Sequence, residues 1–104
     1  MSVELGFWFD YASPYAYLGA ERLRGLCERT GATLHLRPLL LGALFRAIGT
    51  PDVPLFAMPA PRQRMMALEL YRWADVLGVP FRFATPFPQV TVKPLRITLA
   101  ARTA

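Results

Sequence analysis

The chain has 104 residues, enough for one domain and close to the lower limit at which a hydrophobic core alone sustains a fold. Hydrophobic residues make up 54% and charged residues 18%, a balance that excludes a disordered segment and implies apolar surface covered by further chain or by a partner. The formal net charge is +5, from 12 Lys and Arg against 7 Asp and Glu. Because the basic residues are scattered and form no nucleic-acid-binding motif, the excess points to a small anionic ligand rather than to nucleic acid. A single cysteine, Cys27, excludes an internal disulfide and any CxxC pair, and suits a reducing cytoplasm. Cys27 itself reads as a small apolar residue on a helix face. Neither a signal peptide nor an apolar run of membrane-spanning length is visible, so the expected protein is cytoplasmic and not membrane-bound. No metal site is assigned.

Val3, Leu5, Phe7 and Phe9 alternate with Glu4, Gly6, Trp8 and Asp10, the period of a β-strand, although Trp8 leaves an apolar group on the second face too. Ser13-Pro14 then opens a helix, Ser being a favoured N-cap and Pro a favoured first residue. Tyr15, Leu18, Leu23, Leu26 and Cys27 keep helical spacing through Arg29, and Gly31 suits the C-terminal cap. A second strand is predicted over Thr33 to Arg37, with Leu34 and Leu36 opposite Thr33, His35 and Arg37. The short links favour a parallel strand, helix, strand unit. After Pro38 a short helix runs through Phe45 and Ile48 to Gly49. A proline-marked loop follows, holding Pro51, Pro54, Pro59 and Pro61. Arg62 to Leu77 reads as a helix stopped by Gly78, Pro80 to Pro88 as an extended aromatic stretch, and Thr91 to Ala104 as a further helix.

The chemistry concentrates where the first strand meets the first helix, at Ser13-Pro14-Tyr15-Ala16. A helix N-terminus leaves backbone N–H groups unpaired and carries partial positive charge, so it favours an anion. In thioredoxin-like redox proteins this place holds the first cysteine of CxxC, whose thiolate that field stabilises. Here the two cysteine positions are Ser13 and Ala16, which cannot form a disulfide. A hydroxyl remains, able to donate to a thiolate brought by a ligand and to lower its pKa. A free thiol titrates near 8.5, and one unit of lowering takes about 1.4 kcal/mol. A hydrogen bond to a charged group is worth roughly 1.5–3 kcal/mol, so it supplies one or two units. By spacing alone, the plain helix cap is the favoured reading of Ser13, since Ser-Pro helix starts are common.

The stretches Phe7-Trp8-Phe9-Asp10-Tyr11-Ala12-Ser13-Pro14-Tyr15-Ala16-Tyr17-Leu18 and Arg37-Pro38-Leu39-Leu40-Leu41-Gly42-Ala43-Leu44-Phe45 go further. With Arg72-Trp73-Ala74, Gly78-Val79-Pro80-Phe81 and Phe87-Pro88, they make the chain from Val3 to Arg96 resemble the 2-hydroxychromene-2-carboxylate isomerases and the related kappa-class glutathione transferases. The resemblance implies an α/β fold, a DsbA-like thioredoxin domain with a helical domain inserted after the second strand. On that reading, residues 1–38 are the N-terminal part of the thioredoxin-like domain and residues 39–104 the first part of the inserted helical domain. The fold is then expected to be truncated, its remaining strands, final helix and cis-proline loop lying outside this sequence. The resemblance also implies glutathione as cofactor, with Ser13 as the catalytic residue at its sulfur. The reaction implied is isomerisation of an intermediate of aromatic-compound degradation, by transient thiol addition and bond rotation.

Other roles carry over position by position. Thr50 stands where many relatives have a glutathione-contacting Asn, and Arg62 matches a basic position that attracts a glutathione carboxylate. Arg62 reads as well as a solvated residue in a helix's first turn. Phe45 occupies the place of a substrate-binding Lys in one branch, and Phe87 that of an aromatic residue beside the substrate. Tyr17 is taken as packing, and His35 as a surface histidine far from the site. The alternatives are a kappa-like glutathione transferase and a non-catalytic truncated module. A homo-oligomer, or union with the rest of the domain, is expected to cover the exposed surface. With Ser13 and Ala16 at the two cysteine positions, the purified chain is expected to reduce insulin no faster than background; a rate above background would disprove the absence of dithiol chemistry.

Overall fold

A computed structural model describes residues 3–85 and 87–103. Strand β1 (Glu4–Phe9) leads through a tight turn into helix α1 (Pro14–Thr30), and strand β2 (Thr33–Pro38) returns parallel to β1. Leu5 lies opposite Leu34, Phe7 opposite Leu36, and Phe9 opposite Pro38. Helix α2 (Leu41–Ala47), a single 3-10 turn (Pro54–Ala57), helix α3 (Ala60–Leu77) and helix α4 (Val92–Thr103) complete the order. The sequence predicts each of these helices and both strands. Two details differ: the proline-marked loop contains the 3-10 turn, and α3 starts at Ala60, with Pro61 accepted in its first turn.

Local chemistry explains the boundaries. Ser13 adopts an extended conformation and its Oγ accepts the Ala16 amide at 3.2 Å, so it caps α1, while Pro14 needs no hydrogen-bond acceptor. At the other end Gly31 turns left-handed, φ 73°, and its amide returns to the Cys27 carbonyl. Gly78 ends α3 in the same way at φ 69°. A side chain with a Cβ is disfavoured at both places.

Helices α1 and α3 pack through Leu18, Leu70 and Ala74, with Tyr17, Leu77, Val79, Phe81 and Phe83 around them. Leu95 of α4 is buried separately. The sheet is less well covered. Leu5, Phe7 and Phe9 are half-buried, but Trp8 on the opposite face is 62% exposed and shielded mainly by the Arg37 guanidinium, 5.4 Å from its ring. Leu36, read from the sequence as a partner of Leu34, is 39% exposed. The chain exposes 7765 Å², against about 5,900 Å² for a compact protein of its mass. Its radius of gyration is 15.3 Å, where about 13 Å is usual.

One buried carboxylate joins the pieces. Asp10, 3% exposed, accepts the Ala12 amide at 3.0 Å and the Thr91 hydroxyl at 2.6 Å on Oδ1, and the Leu41 amide at 2.8 Å on Oδ2. It therefore holds the β1–α1 turn, the first residue of α2 and the entry to α4 at one point. Tyr11 adds a second tie, its hydroxyl 2.6 Å from Thr98 Oγ1. Asp10→Ala would leave two N–H groups and a buried hydroxyl without their acceptor, and is expected to cost about 3 kcal/mol or more. Thr91→Val removes one charge-assisted bond and is expected to cost about 1.5–3 kcal/mol. Urea unfolding of the two variants beside the parent chain measures both. A smaller loss for Asp10→Ala than for Thr91→Val would disprove the hub.

Candidate active site

The turn between β1 and α1 presents Ser13 at the mouth of two clefts. The smaller, about 480 Å³, runs between Tyr11 and Tyr17 on one side and the segment Pro80–Ala84 on the other. The larger, about 650 Å³, runs under α2 and the 3-10 turn and reaches Phe45, Arg46, Asp52 and Met66. Ala12, Ser13, Pro14, Phe83, Phe87 and Gln89 line both, so the clefts meet at the first turn of α1. Both volumes fall within the roughly 300–1,000 Å³ of small-molecule sites.

Ser13 Oγ accepts a hydrogen bond from Ala16, and as a hydroxyl it still has a proton to donate. The first turn of α1 itself contains no acidic residue, and the carboxylate just before it, Asp10, is met by three donors. The arrangement can therefore hold an anion by the field of a 17-residue helix and a hydroxyl donor together. Among the described residues no group of three His, Cys, Asp or Glu side chains could hold a metal ion, and no helix is long and apolar enough to cross a membrane.

The walls are aromatic. Tyr17 stacks on Phe81 at 6.3 Å, Phe81 meets Phe83 edge-on at 5.3 Å, and Phe83 meets Phe87 at 5.2 Å. Phe56 closes the series against Phe87 at 6.4 Å. Tyr17, read from the sequence as packing, does that and also lines the smaller cleft; its hydroxyl donates to the Pro80 carbonyl and fastens the wall to α1. Of the residues singled out from the sequence, Ser13 and Phe87 line both clefts and Phe45 lines the larger. Thr50 and Arg62 stand outside both linings. Thr50 follows α2, its amide bonded to the Phe45 carbonyl at 2.8 Å, and Arg62 is exposed in the first turn of α3. His35 sits on β2 beside Glu4, at 3.6 Å. The sequence pattern does not mark Asp10, Arg82, Phe83 or Gln89 as site residues. An Asp two residues before a turn amide is a recognisable turn signal, whereas only the folded chain brings Arg82 to the cleft.

Comparison with known proteins gives the family of the chain. The model of the DSBA-like thioredoxin domain matches residues 4–104. The chain belongs to that family. It is 32% identical over 87 residues to a 2-hydroxychromene-2-carboxylate isomerase of Sphingobium xenophagum, covering 84% of this chain and 44% of the relative. It is 26% identical over 101 residues to Glutathione s-transferase kappa 2 of Caenorhabditis elegans, covering 92% and 44%. A solved structure of 2-hydroxychromene-2-carboxylate isomerase superposes with a TM-score of 0.59 at 30% identity, covering 75% of this chain and 38% of that one. The chain thus spans less than half the length of these relatives. The α/β architecture expected from the sequence is that of a DSBA-like thioredoxin domain.

Tyr15, on the larger cleft, links α1 to α3 by donating to Glu69 Oε2 at 2.8 Å. Its phenol is pushed up to about 12, first by burial, then by this hydrogen bond and by the charge of Glu69. The folded value exceeds the ordinary value near 10, so the link's contribution is complete below about pH 10 and is lost as pH rises through about 12. Ultraviolet titration of tyrosinate is expected to show a component near pH 12 that Tyr15→Phe deletes and Glu69→Gln moves towards pH 10. A component indifferent to Glu69→Gln would contradict the link.

Proposed function

We propose that this chain carries the thiol-activating site of a glutathione-dependent isomerase of the 2-hydroxychromene-2-carboxylate type, working in cytoplasmic degradation of aromatic compounds. The observation that carries this reading is Ser13, a hydroxyl at the N-terminus of α1 where two clefts converge. Two of the relatives in the comparison bear that isomerase's name, which supports the choice of reaction. Glutathione suits the donor set at this point, since a thiolate needs a proton donor and a positive field and no acid stands in the first turn of α1. When bound, glutathione supplies a thiol that adds to a conjugated double bond, allows rotation and departs unchanged, so no electrons are gained or lost.

The chain's own residues divide the work. Ser13 donates its hydroxyl proton as a hydrogen bond to the thiolate sulfur and does not transfer it. The backbone N–H groups at the start of α1 add positive potential at the same place. Phe83 and Phe87, common to both clefts, exclude water from the meeting point and offer ring faces to a planar substrate. Phe45 contributes apolar lining to the larger cleft. Kappa-type conjugation is the second reading, favoured by the similarity to Glutathione s-transferase kappa 2 across 92% of this chain. It uses Ser13 in the same way.

In the full-length protein, Ser13→Ala is expected to leave glutathione affinity within about tenfold and to raise the pKa of the bound thiol by one or two units. Thiolate absorbance of the complex, followed against pH, measures the midpoint. An unchanged midpoint would reduce Ser13 to a helix cap.

A further inference from the structure

We propose that the smaller cleft is the seat of a planar aromatic carboxylate and that Arg82 holds the carboxylate. The inference rests on the isomerase reading and names the residue that would select its acidic substrate. It starts from the charges of the two clefts. In the larger, Arg46 is already paired with Asp52 at 3.1 Å, and Asp10 lies in the same lining. In the smaller, Arg82 is the one formally charged side chain among the described lining residues, and no carboxylate opposes it. An anion entering the larger cleft meets two acids and a committed cation. One entering the smaller meets an uncancelled cation.

Shape points the same way. The wall beside Arg82 is the run of rings Phe81, Phe83 and Phe87, with Tyr17 stacked on Phe81. A flat ring system buries its faces against such a wall, while a flexible peptide gains little from it. A guanidinium can take a carboxylate with two parallel hydrogen bonds, which fixes the plane of an attached ring as well as its charge. The ligand so oriented extends towards Ser13, one of the six residues common to both clefts. Phe45, in the lining of the larger cleft, can hold no carboxylate.

The test uses 2-naphthoate, with neutral 2-naphthamide as its uncharged counterpart, titrated against the purified 104-residue chain by ligand-observed NMR without glutathione. Arg82→Ala is expected to weaken naphthoate about tenfold, a modest factor because Arg82 is exposed, and to leave naphthamide unchanged. Arg82→Lys, which keeps the charge but loses the fork, is expected to fall between the two and guards against a folding defect in the alanine variant. Arg102→Ala, in the last turn of α4, is the charge-matched control and is expected to bind like the parent. Naphthoate affinity in Arg82→Ala equal to that of the Arg102→Ala control would overturn the carboxylate site. So would equal affinity of the parent chain for naphthoate and naphthamide. Because glutathione is absent, these results are independent of the thiol titration. A normal Ser13 effect with no Arg82 effect overturns the carboxylate site alone, and an Arg82 effect without a Ser13 effect sustains it while the thiol reading falls.

Discussion

Three segments distant in sequence converge on the carboxylate of Asp10. Its two oxygens accept from Ala12, Leu41 and Thr91, so the turn that carries Ser13, the start of α2 and the entry to α4 share one anchor. Among the described residues its hydrogen-bond partners are two backbone amides and a hydroxyl, and none is a cation. Burying a carboxylate is costly unless each lone pair finds a donor, and each donor here would in turn be stranded without it. That mutual dependence makes the junction rigid in a chain with a small core. The floor of the larger cleft includes Asp10 and Thr91 themselves. Its shape therefore depends on the same bonds that place Ser13.

Elsewhere the molecule is loosely closed. A two-stranded parallel sheet with Trp8 and Leu36 exposed gains little from cross-strand packing, and two strands are fewer than a self-sufficient sheet needs. Val76, Met65 and Leu68 lie exposed along α3, away from the Leu70 and Ala74 contact with α1. The excess surface, roughly 1,900 Å² by the scaling of compact proteins, is comparable to a standard protein–protein interface. By contrast the aromatic wall from Tyr17 to Phe56 is continuous, each ring touching the next. The site is thus held by local devices, a cap, a carboxylate hub and a ring series, rather than by the depth of a core.

These local devices are also what decided which features could be read in the sequence. The strand, helix, strand start was legible because alternation ends at Phe9 and because Ser13, Pro14 and Gly31 act through nearest neighbours. Ser13 as an N-cap followed from the same local chemistry, whereas its proposed role at a thiol came from the resemblance carried by the flanking stretches. Arg82 and Gln89 were not legible, because their place on the cleft depends on how the irregular segment after Gly78 folds back over α1. No periodicity marks such a path. The Asp10 hub was half visible: its bond to Ala12 is a short-range turn, but the partners Leu41 and Thr91 lie 31 and 81 residues away. Leu36 alternates with His35 and Arg37 as the sequence predicts yet is 39% exposed, since alternation gives the face of a side chain and not what covers that face.

The same hub bears on how a thiol could be activated here. An anion at a helix N-terminus gains about 0.3–1 kcal/mol from the helix field in an exposed setting. Asp10 lies three residues before Ser13, and its negative charge works against that gain. Removing Asp10 to relieve the repulsion would release the turn that holds Ser13, so the opposition is built into the fold. The direct hydrogen bond from Ser13, worth roughly 1.5–3 kcal/mol to a charged acceptor, is then the dominant favourable influence. A cysteine at this position would have to rely on the weakened field, whereas a serine contributes a donor of its own. On the proposed thiol-activating reading, a serine here would hold the anion by a hydrogen bond where a cysteine would depend on the field, with the charge supplied by the ligand.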